Sequence, residues 1–236
     1  VHKILTYELE PDLRDEAWLR RGAVAAGDRL SGFSTILVSR WVRDLMLERG
    51  FTEVDTFWFT MDGDAGDFIE GAFDRGAAFI NYRGWTGVDR WSVREAGRLN
   101  NRRLPVALLL GCNTGDYAGV DGYTEALLRS RGGCIGAVGS AGAQSRVEYN
   151  NALLAGFYRG VLEEGITSVG GALNHARIEL FAAYNLDGAD RVLGQALLTN
   201  LMGDPATIIH RPGMREVGLQ VPQQLQISAG GVVVRI

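Results

Sequence analysis

The side chain best suited to covalent chemistry in this sequence is the thiol of Cys112. It follows the apolar segment LPVALLLG and precedes a small, polar stretch that runs from Asn113 to Asp116. An almost uninterrupted apolar run that ends in such a loop is typical of a buried parallel strand, and ligands and catalytic groups gather where parallel strands end. Cys112 is therefore a nucleophile, the remnant of one, or a small apolar residue that fills space.

A nucleophilic thiol needs a base, and the sequence offers no obvious one beside Cys112. The three histidines are His2 near the start, His175 within a helical segment and His210 after the last predicted strand of the α/β region. None of them follows a strand at the edge where Cys112 is expected. An unassisted cysteine has a pKa of about 8.5 and is only a few per cent thiolate at neutral pH.

Other charged side chains could reach the same edge of a sheet. Arg83 could favour a thiolate through its charge, but a guanidinium cannot accept a proton. The carboxylates that could reach the cleft are Asp28, after the first predicted strand, and also Asp89 and Asp116. Carboxylates of ordinary pKa are weak bases toward a thiol, so we regard Asp28 as a weak catalytic candidate.

Three carboxylates in the segment MDGDAGD, those of Asp62, Asp64 and Asp67, could bind calcium. The spacing does not fit an EF-hand, because Gly66 lies where an oxygen ligand is needed and no glutamate closes the loop. We expect a solvated loop that caps the following helix. Structural calcium is the weaker alternative, and no other cofactor is predicted.

Composition limits the class of protein. The chain has 236 residues, 46% of them hydrophobic, which is enough for one substantial α/β domain. A net charge of -4 with scattered arginines disfavours nucleic-acid binding. The sequence predicts no membrane span and no signal-peptide core. Because residue 1 is Val, we expect a processed or excised part of a longer protein.

The two cysteines are predicted to be free thiols. If the strands at about 105–111 and 134–139 are parallel neighbours, Cys112 and Cys134 lie at opposite edges of the sheet. A disulfide needs Cα atoms within about 7 Å of each other, which this arrangement excludes. Cys134 is predicted to be a core residue.

The hydrophobic pattern predicts strands that alternate with helices. Such alternation implies crossover connections and a mostly parallel sheet that is covered on both faces. From about residue 215 the apolar residues recur every second position, which is typical of a β-sandwich. The predicted strands lie at about 22–27, 53–59, 77–82, 105–111 and 134–139, and the predicted helices at about 34–50, 65–74, 92–99, 122–130, 148–164, 168–184 and 189–201.

Several segments, in order, resemble the gingipain family of cysteine peptidases, which belongs to the caspase-like clan. They are NYRGWTG at 81–87, LPVALLLGCNTGD at 104–116, EALL at 125–128, GGCIGAVGSAG at 132–142 and NLMGDPATII at 200–209. The resemblance implies a caspase-like three-layer α/β sandwich followed by an immunoglobulin-like β domain. It divides the chain into a linker from an upstream region (1–17), a peptidase-like domain (18–212) and the incomplete beginning of the β domain (213–236).

The resemblance also assigns roles to residues. Cys112 occupies the position of the family's nucleophile, and Trp85 stands where the family has the histidine that serves as base. An indole has one donor and no acceptor, so Trp85 cannot exchange protons with a thiol near neutral pH. Trp85 either fills the volume of a lost active site, which we favour, or stacks on a ligand. The backbone amides of Cys112 and Thr86 correspond to the family's oxyanion donors.

These observations predict a gingipain-like cysteine peptidase domain of an exported or surface protein, catalytically impaired because Trp85 replaces the histidine. One alternative is a non-catalytic scaffold or binding domain, and a less favoured one is an active endopeptidase with a substitute base. A Rossmann-type cofactor binder is disfavoured, because GDRLSG is a poor phosphate loop. The expected partners are a peptide or protein substrate if the domain is active, and otherwise neighbouring domains or an assembly partner.

Overall fold

The computed structural model describes residues 2–10, 15–118, 122–184 and 188–211. The strands are β1 (Arg21–Ala26), β2 (Glu53–Trp58), β3 (Phe79–Thr86), β4 (Val106–Cys112), β5 (Gly136–Ser140) and β6 (Thr199–Gly203). The helices are α1 (His2–Leu9), α2 (Phe33–Glu48), α3 (Ala65–Arg75), α4 (Val93–Ala96), α5 (Tyr123–Arg129), α6 (Val147–Leu162), α7 (Val169–Tyr184) and α8 (Ala189–Leu198).

The six strands form one sheet in the order β2-β1-β3-β4-β5-β6. The first five strands run parallel, and β6 pairs antiparallel with β5. The predicted mostly parallel sheet is therefore confirmed. Each parallel connection crosses over through a helix, which brings the carboxyl ends of β1 to β5 to one edge.

Helices cover both faces of the sheet, and β4 shows why its sequence is apolar throughout. Val106, Leu108 and Leu110 pack into a core under α2, α6 and α7. Ala107 and Leu109 pack into a second core under α3 and α5. Successive side chains of a strand point to opposite faces, so a strand buried between two helical layers needs apolar residues at every position.

The helix predicted at 189–201 is wrong at its end. Helix α8 ends at Leu198, and Thr199–Gly203 forms the edge strand β6. Thr199 pairs with Ser140 at the end of β5, and its hydroxyl donates to Gln195 O at 2.9 Å. Apolar residues continue through this region, so their spacing does not show at which residue the helix ends and the backbone begins to pair with β5.

The first residues pack against the domain. Tyr7 of α1 is buried, its ring stacks on the His210 imidazole at 4.0 Å, and its hydroxyl accepts from His210 N at 2.9 Å. Burial raises the pKa of the Tyr7 phenol. Residues 2–9 are thus helical and held by the domain, while an upstream connection through 1–17 stays a prediction.

The predicted beginning of a β domain at 213–236 lies outside the described residues. Within the described ranges, none of the helices combines the length and the apolar character that crossing a bilayer requires.

Candidate active site

Cys112 is the last residue of β4 and lies at the edge where the parallel strands end. Its partner in the sheet is Thr86, the last residue of β3, and Gly87 N donates to Cys112 O at 2.9 Å. Immediately after the thiol, Asn113 adopts a left-handed backbone with φ of 59°. Asparagine tolerates this conformation better than most residues, so the chain turns sharply and leaves Cys112 at the tip of its strand.

The turn after Cys112 is held by hydrogen bonds from Thr114 to β4 and β5. The Thr114 hydroxyl shares its one hydrogen between Leu109 O and Gly111 O, the latter at 3.0 Å, and it accepts from Ser140 N at 3.1 Å. A Cβ atom on Gly115 would lie 2.8 Å from the Gly139 carbonyl carbon, which leaves no room for a side chain. The glycine lets β4 and β5 approach closely, and the turn carrying the thiol is therefore rigid.

The Cys112 sulfur has three oxygen neighbours. Sγ lies 3.3 Å from Ala143 O, 3.2 Å from Ser145 Oγ and 3.9 Å from Ser145 O, and the residue is 7% exposed. A carbonyl can only accept, so the thiol proton can be donated to Ala143 O. A hydroxyl can donate as well, so Ser145 can serve the sulfur in either protonation state.

Ser145 is half-buried and ends a network of polar side chains that the sequence analysis missed. Asn150 Nδ2 donates to Ser145 Oγ at 3.2 Å, and Gln195 Nε2 donates to Asn150 Oδ1 at 3.0 Å. Asn150 and Gln195 are 2% and 3% exposed. Amides interrupting the apolar faces of α6 and α8 were the available signal, because buried polar groups need partners.

A buried guanidinium lies close to the same thiol. Arg83 is fully buried, and its acceptors are Leu110 O, Val147 O at 3.1 Å and Asn151 Oδ1 at 2.7 and 3.0 Å. None of these described partners is a carboxylate. Burial lowers the pKa of Arg83 to about 9, and its charge interacts with Tyr82 and Cys112.

Trp85 is exposed, so the favoured prediction that it fills a lost active site is wrong. Its side chain is 46% exposed, and the pairing of β3 with β4 shifts between Arg83 and Thr86. A Cβ atom on Gly84 would lie 2.2 Å from the Tyr82 hydroxyl, so this position requires glycine. The irregularity carries the indole into solvent, which leaves stacking on a ligand as the surviving interpretation of Trp85.

None of the three histidines, all within the described ranges, contacts the thiol. His210 stacks on Tyr7, and His175 Nδ1 lies 2.9 Å from Gly156 O. Burial lowers the pKa of His210, with Glu8 opposing this effect. His2 begins α1. The three histidines therefore lie away from the thiol, and His210 is buried against Tyr7.

The candidate acids are engaged elsewhere. Asp28 accepts from Leu30 N at 2.8 Å and caps the turn after β1, and Asp116 accepts from Ala118 N at 3.0 Å. Burial and the neighbouring Asp28 raise the pKa of Asp89. No described partner of the Cys112 sulfur is a carboxylate.

The acidic loop caps a helix, as expected. Asp64 is the N-cap of α3 and accepts from Asp67 N at 2.9 Å. Asp62 precedes it in the exposed part of the loop. In the part of the chain that the structure describes, no group of three or more histidine, cysteine or acidic side chains is arranged to hold a metal ion.

Sequence comparison identifies the family of this chain. The family model described as "Peptidase family C25" matches residues 1–210. The chain is a member of the gingipain family of cysteine peptidases. A search of curated proteins finds no match.

Solved structures related to this gingipain-family domain share its fold. The Arg-specific cysteine proteinase gingipain R (RgpB) aligns with a TM-score of 0.74 at 18% identity, covering 88% of this chain and 51% of that one. A complex of the RgpB pro- and mature domains from Porphyromonas gingivalis gives 0.73 at 19%, covering 88% and 52%. A structure described as a protease gives 0.80 at 17%, covering 95% and 56%.

The chain spans about half the length of these solved structures. Their similarity identifies the six-stranded sheet and its helices as the caspase-like α/β sandwich. The roles that resemblance assigns to Cys112, Trp85 and Thr86 stay predictions, as does the weak assignment of Asp28.

Proposed function

We propose that this gingipain-family domain keeps the nucleophile position of a cysteine peptidase at Cys112 but hydrolyses peptides poorly or not at all. The observation that carries this proposal is the set of partners around Sγ, which are the oxygens of Ala143 and Ser145. A carbonyl cannot take a proton at neutral pH, and a serine hydroxyl is a very weak base. Peptide cleavage by a thiol needs a group that accepts its proton and returns it to the leaving amine.

Trp85, on the neighbouring strand β3, supports the same conclusion. By resemblance, Trp85 occupies the position of the family's histidine. The next residue, Thr86, pairs with Cys112 in the sheet, and the Trp85 side chain is 46% exposed. An indole N–H does not ionise near neutral pH. If any activity remains, attack by Sγ on a peptide carbonyl would break the peptide C–N bond and leave a thioester on Cys112, with the thiol proton passing to the leaving amine. The amides of Cys112 and Thr86 would be the oxyanion donors.

A peptide-binding or scaffold role is the second candidate, favoured by aromatic side chains left in solvent at this edge. Trp85 is 46% exposed, and Tyr117, five residues after Cys112, is 55% exposed. Exposed aromatic rings supply large contact areas at low entropic cost. In this role the partners would be a peptide, a neighbouring domain of the same protein or an assembly partner.

We further propose that the domain belongs to a secreted or cell-surface protein and needs no resident cofactor, with structural calcium at the Asp62–Asp67 loop as a lesser alternative. The family resemblance supports the location, and thiol chemistry requires no metal. Fractionation of the source cells tests the location. Melting temperatures measured with calcium and with a chelator test the loop, and equal values would leave no support for a calcium site.

Peptide hydrolysis tests the proposed function directly. The 236-residue chain, its Cys112→Ser variant and its Trp85→His variant are incubated with a mixed peptide library, and the products are identified by mass spectrometry. We expect no cleavage by the first two proteins. Because a positioned acid–base group contributes about 100-fold or more, Trp85→His should produce cleavage that disappears in Trp85→His with Cys112→Ser.

Cleavage by the unmodified chain that Cys112→Ser abolishes would contradict the proposal and favour an active endopeptidase with another base. Quenching of tryptophan fluorescence by peptides, lost in Trp85→Ala but without cleavage, would favour the binding role.

A further inference from the structure

We propose that Ser145, Asn150 and Gln195 are positioning residues that aim a hydrogen-bond donor at the Cys112 sulfur. The inference rests on the proposed function in that it takes Cys112 as the reactive position of the domain. It concerns the state of the sulfur before any substrate binds, and it therefore holds whether or not peptides are cleaved.

The direction of the hydrogen bonds that link Ser145, Asn150 and Gln195 is set at the Gln195 end by a backbone group. Arg146 N–H donates to Gln195 Oε1 at 2.9 Å. A backbone N–H can only donate, so the amide oxygen of Gln195 must face it and the amide nitrogen must face away. Gln195 Nε2 then has two acceptors, Asn150 Oδ1 at 3.0 Å and Thr199 Oγ1 at 3.4 Å.

The next two links follow from the first. Because Asn150 Oδ1 accepts from Gln195, its Nδ2 faces Ser145 and donates to Oγ at 3.2 Å. A hydroxyl carries one hydrogen, and the one on Ser145 is not used by that bond. The remaining described neighbour of Ser145 Oγ is the Cys112 sulfur at 3.2 Å, so the serine hydrogen points at sulfur.

Burial keeps water from the amides of Asn150 and Gln195, while Ser145 itself is half-buried. Asn150 and Gln195 are almost fully buried, and Thr199 is fully buried. The Thr199 hydroxyl donates its own hydrogen to Gln195 O at 2.9 Å, so it can only accept from the Gln195 amide. Reversing the Gln195 amide would bring its Nε2 against the Arg146 N–H, which leaves two donors facing each other without an acceptor and is costly in a buried site.

Helix α6 also supplies the second influence on the sulfur. Asn151, next to Asn150, accepts from Arg83 Nε and Nη2 and so holds the buried guanidinium whose charge interacts with Cys112. A donated hydrogen bond and a nearby positive charge both favour negative charge on the atom that they face. The first turn of α6 therefore supports a reactive form of Cys112 without a histidine.

The experiment measures alkylation of Cys112 by iodoacetamide from pH 5 to 9 in the full 236-residue chain, with the adduct located by peptide mass. Ser145→Ala removes the donor and should slow alkylation at pH 7 about tenfold, as expected for a hydrogen bond to a charged group. Ser145→Thr keeps a hydroxyl and should stay within about twofold of the unmodified chain. Ser130→Ala, which removes the serine hydroxyl that donates to Leu127 O in α5, is the matched control and should change nothing.

Asn150→Asp tests the direction itself. A carboxylate can only accept, so it would draw the Ser145 hydrogen away from the sulfur. Its negative charge would also disfavour negative charge on the sulfur. We expect a slowing at least as large as in Ser145→Ala. Circular dichroism and melting curves establish that each variant is folded, and if Asn150→Asp does not fold, the comparison of Ser145→Ala with Ser145→Thr decides.

Equal alkylation rates in Ser145→Ala and the unmodified chain would overturn the proposal, as would equal losses in Ser145→Ala and Ser145→Thr. A Cys112 that does not react at all in the folded unmodified chain would overturn it too. Peptide hydrolysis plays no part in this readout, so the proposed function and this inference can fail separately.

Discussion

The two cysteines lie at opposite edges of the sheet, one at the end of β4 and one just before the neighbouring parallel strand β5, and their surroundings differ. Cys112 ends β4 with a hydroxyl and a carbonyl on its sulfur, whereas Cys134 lies just before β5 and is fully buried. Burial raises the pKa of Cys134 to about 12, opposed by the neighbouring Lys3. Both thiols are free, as the sequence predicted. The same side chain therefore has polar partners at one edge of the sheet and lies in the hydrophobic core at the other.

The largest expected difference is in labelling of the folded chain. At pH 8 we expect iodoacetamide to modify Cys112, which is 7% exposed, at least about 100-fold faster than Cys134, which is 0% exposed and reacts only after local opening. Mass spectrometry of digested protein measures the two rates. In concentrated guanidinium chloride the two rates should become similar, and comparable rates in the folded chain would remove the distinction between the edges.

Replacing Arg83 should damage the Cys112 edge most. Arg83→Met keeps much of the volume but leaves Leu110 O, Val147 O and Asn151 Oδ1 without their donor, which costs about 3–5 kcal/mol. Urea unfolding measures the change. Arg43→Met, which removes an exposed pair with Asp44, is the control and should cost less than about 0.5 kcal/mol. A loss below about 1 kcal/mol for Arg83→Met would show that the buried charge does not organise this edge.

High pH should destabilise the domain through Cys134. Its folded pKa of about 12 lies above its ordinary value of 9.0, so the folded chain holds the proton longer than the unfolded chain. The stabilisation is complete below pH 9 and is lost as pH rises toward 12. At about pH 10.5 the loss reaches about 2 kcal/mol. Cys134→Ala lacks this contribution, so the difference in unfolding free energy between the two proteins should shrink by that amount between pH 8 and pH 10.5. A constant difference would contradict the prediction.

The smallest expected effect concerns Lys3 of α1, which lies near Cys134. Lys3 Nζ donates to Leu127 O at 3.1 Å, to Ser130 O at 3.3 Å and to Gly132 O. Burial lowers the pKa of Lys3. Lys3→Met should cost about 1 kcal/mol, since water can partly replace the ammonium, and should speed labelling of Cys134 severalfold without changing that of Cys112. His2→Ala, at an exposed neighbour, serves as control.

The apolar runs predicted the sheet because a strand buried on both faces leaves a nearly unambiguous pattern. The segment that ends in Cys112 could be placed on β4 and at the correct edge from its residues alone. The end of α8 could not, since Thr199 follows a helix whose apolar spacing continues unbroken, and only the presence of β5 turns the chain into β6.

The surroundings of the thiol were harder to predict than its position. The exposure of Trp85 depends on an irregularity in β3 pairing, which a side-chain pattern does not encode. Ser145, Asn150 and Gln195 come from a loop and two different helices, and their meeting depends on long-range packing. Pairing partners of buried polar residues are set by tertiary structure, so a sequence shows that partners must exist without naming them.

The contact of Tyr7 with His210 joins residues that are 203 positions apart. Lys3, on the same helix, donates to Leu127 O, Ser130 O and Gly132 O, so α1 is also held by the segment that precedes β5. Both anchors of α1 join residues at least 124 positions apart, so docking of this helix depends on contacts that are distant in sequence and should be a late step in folding.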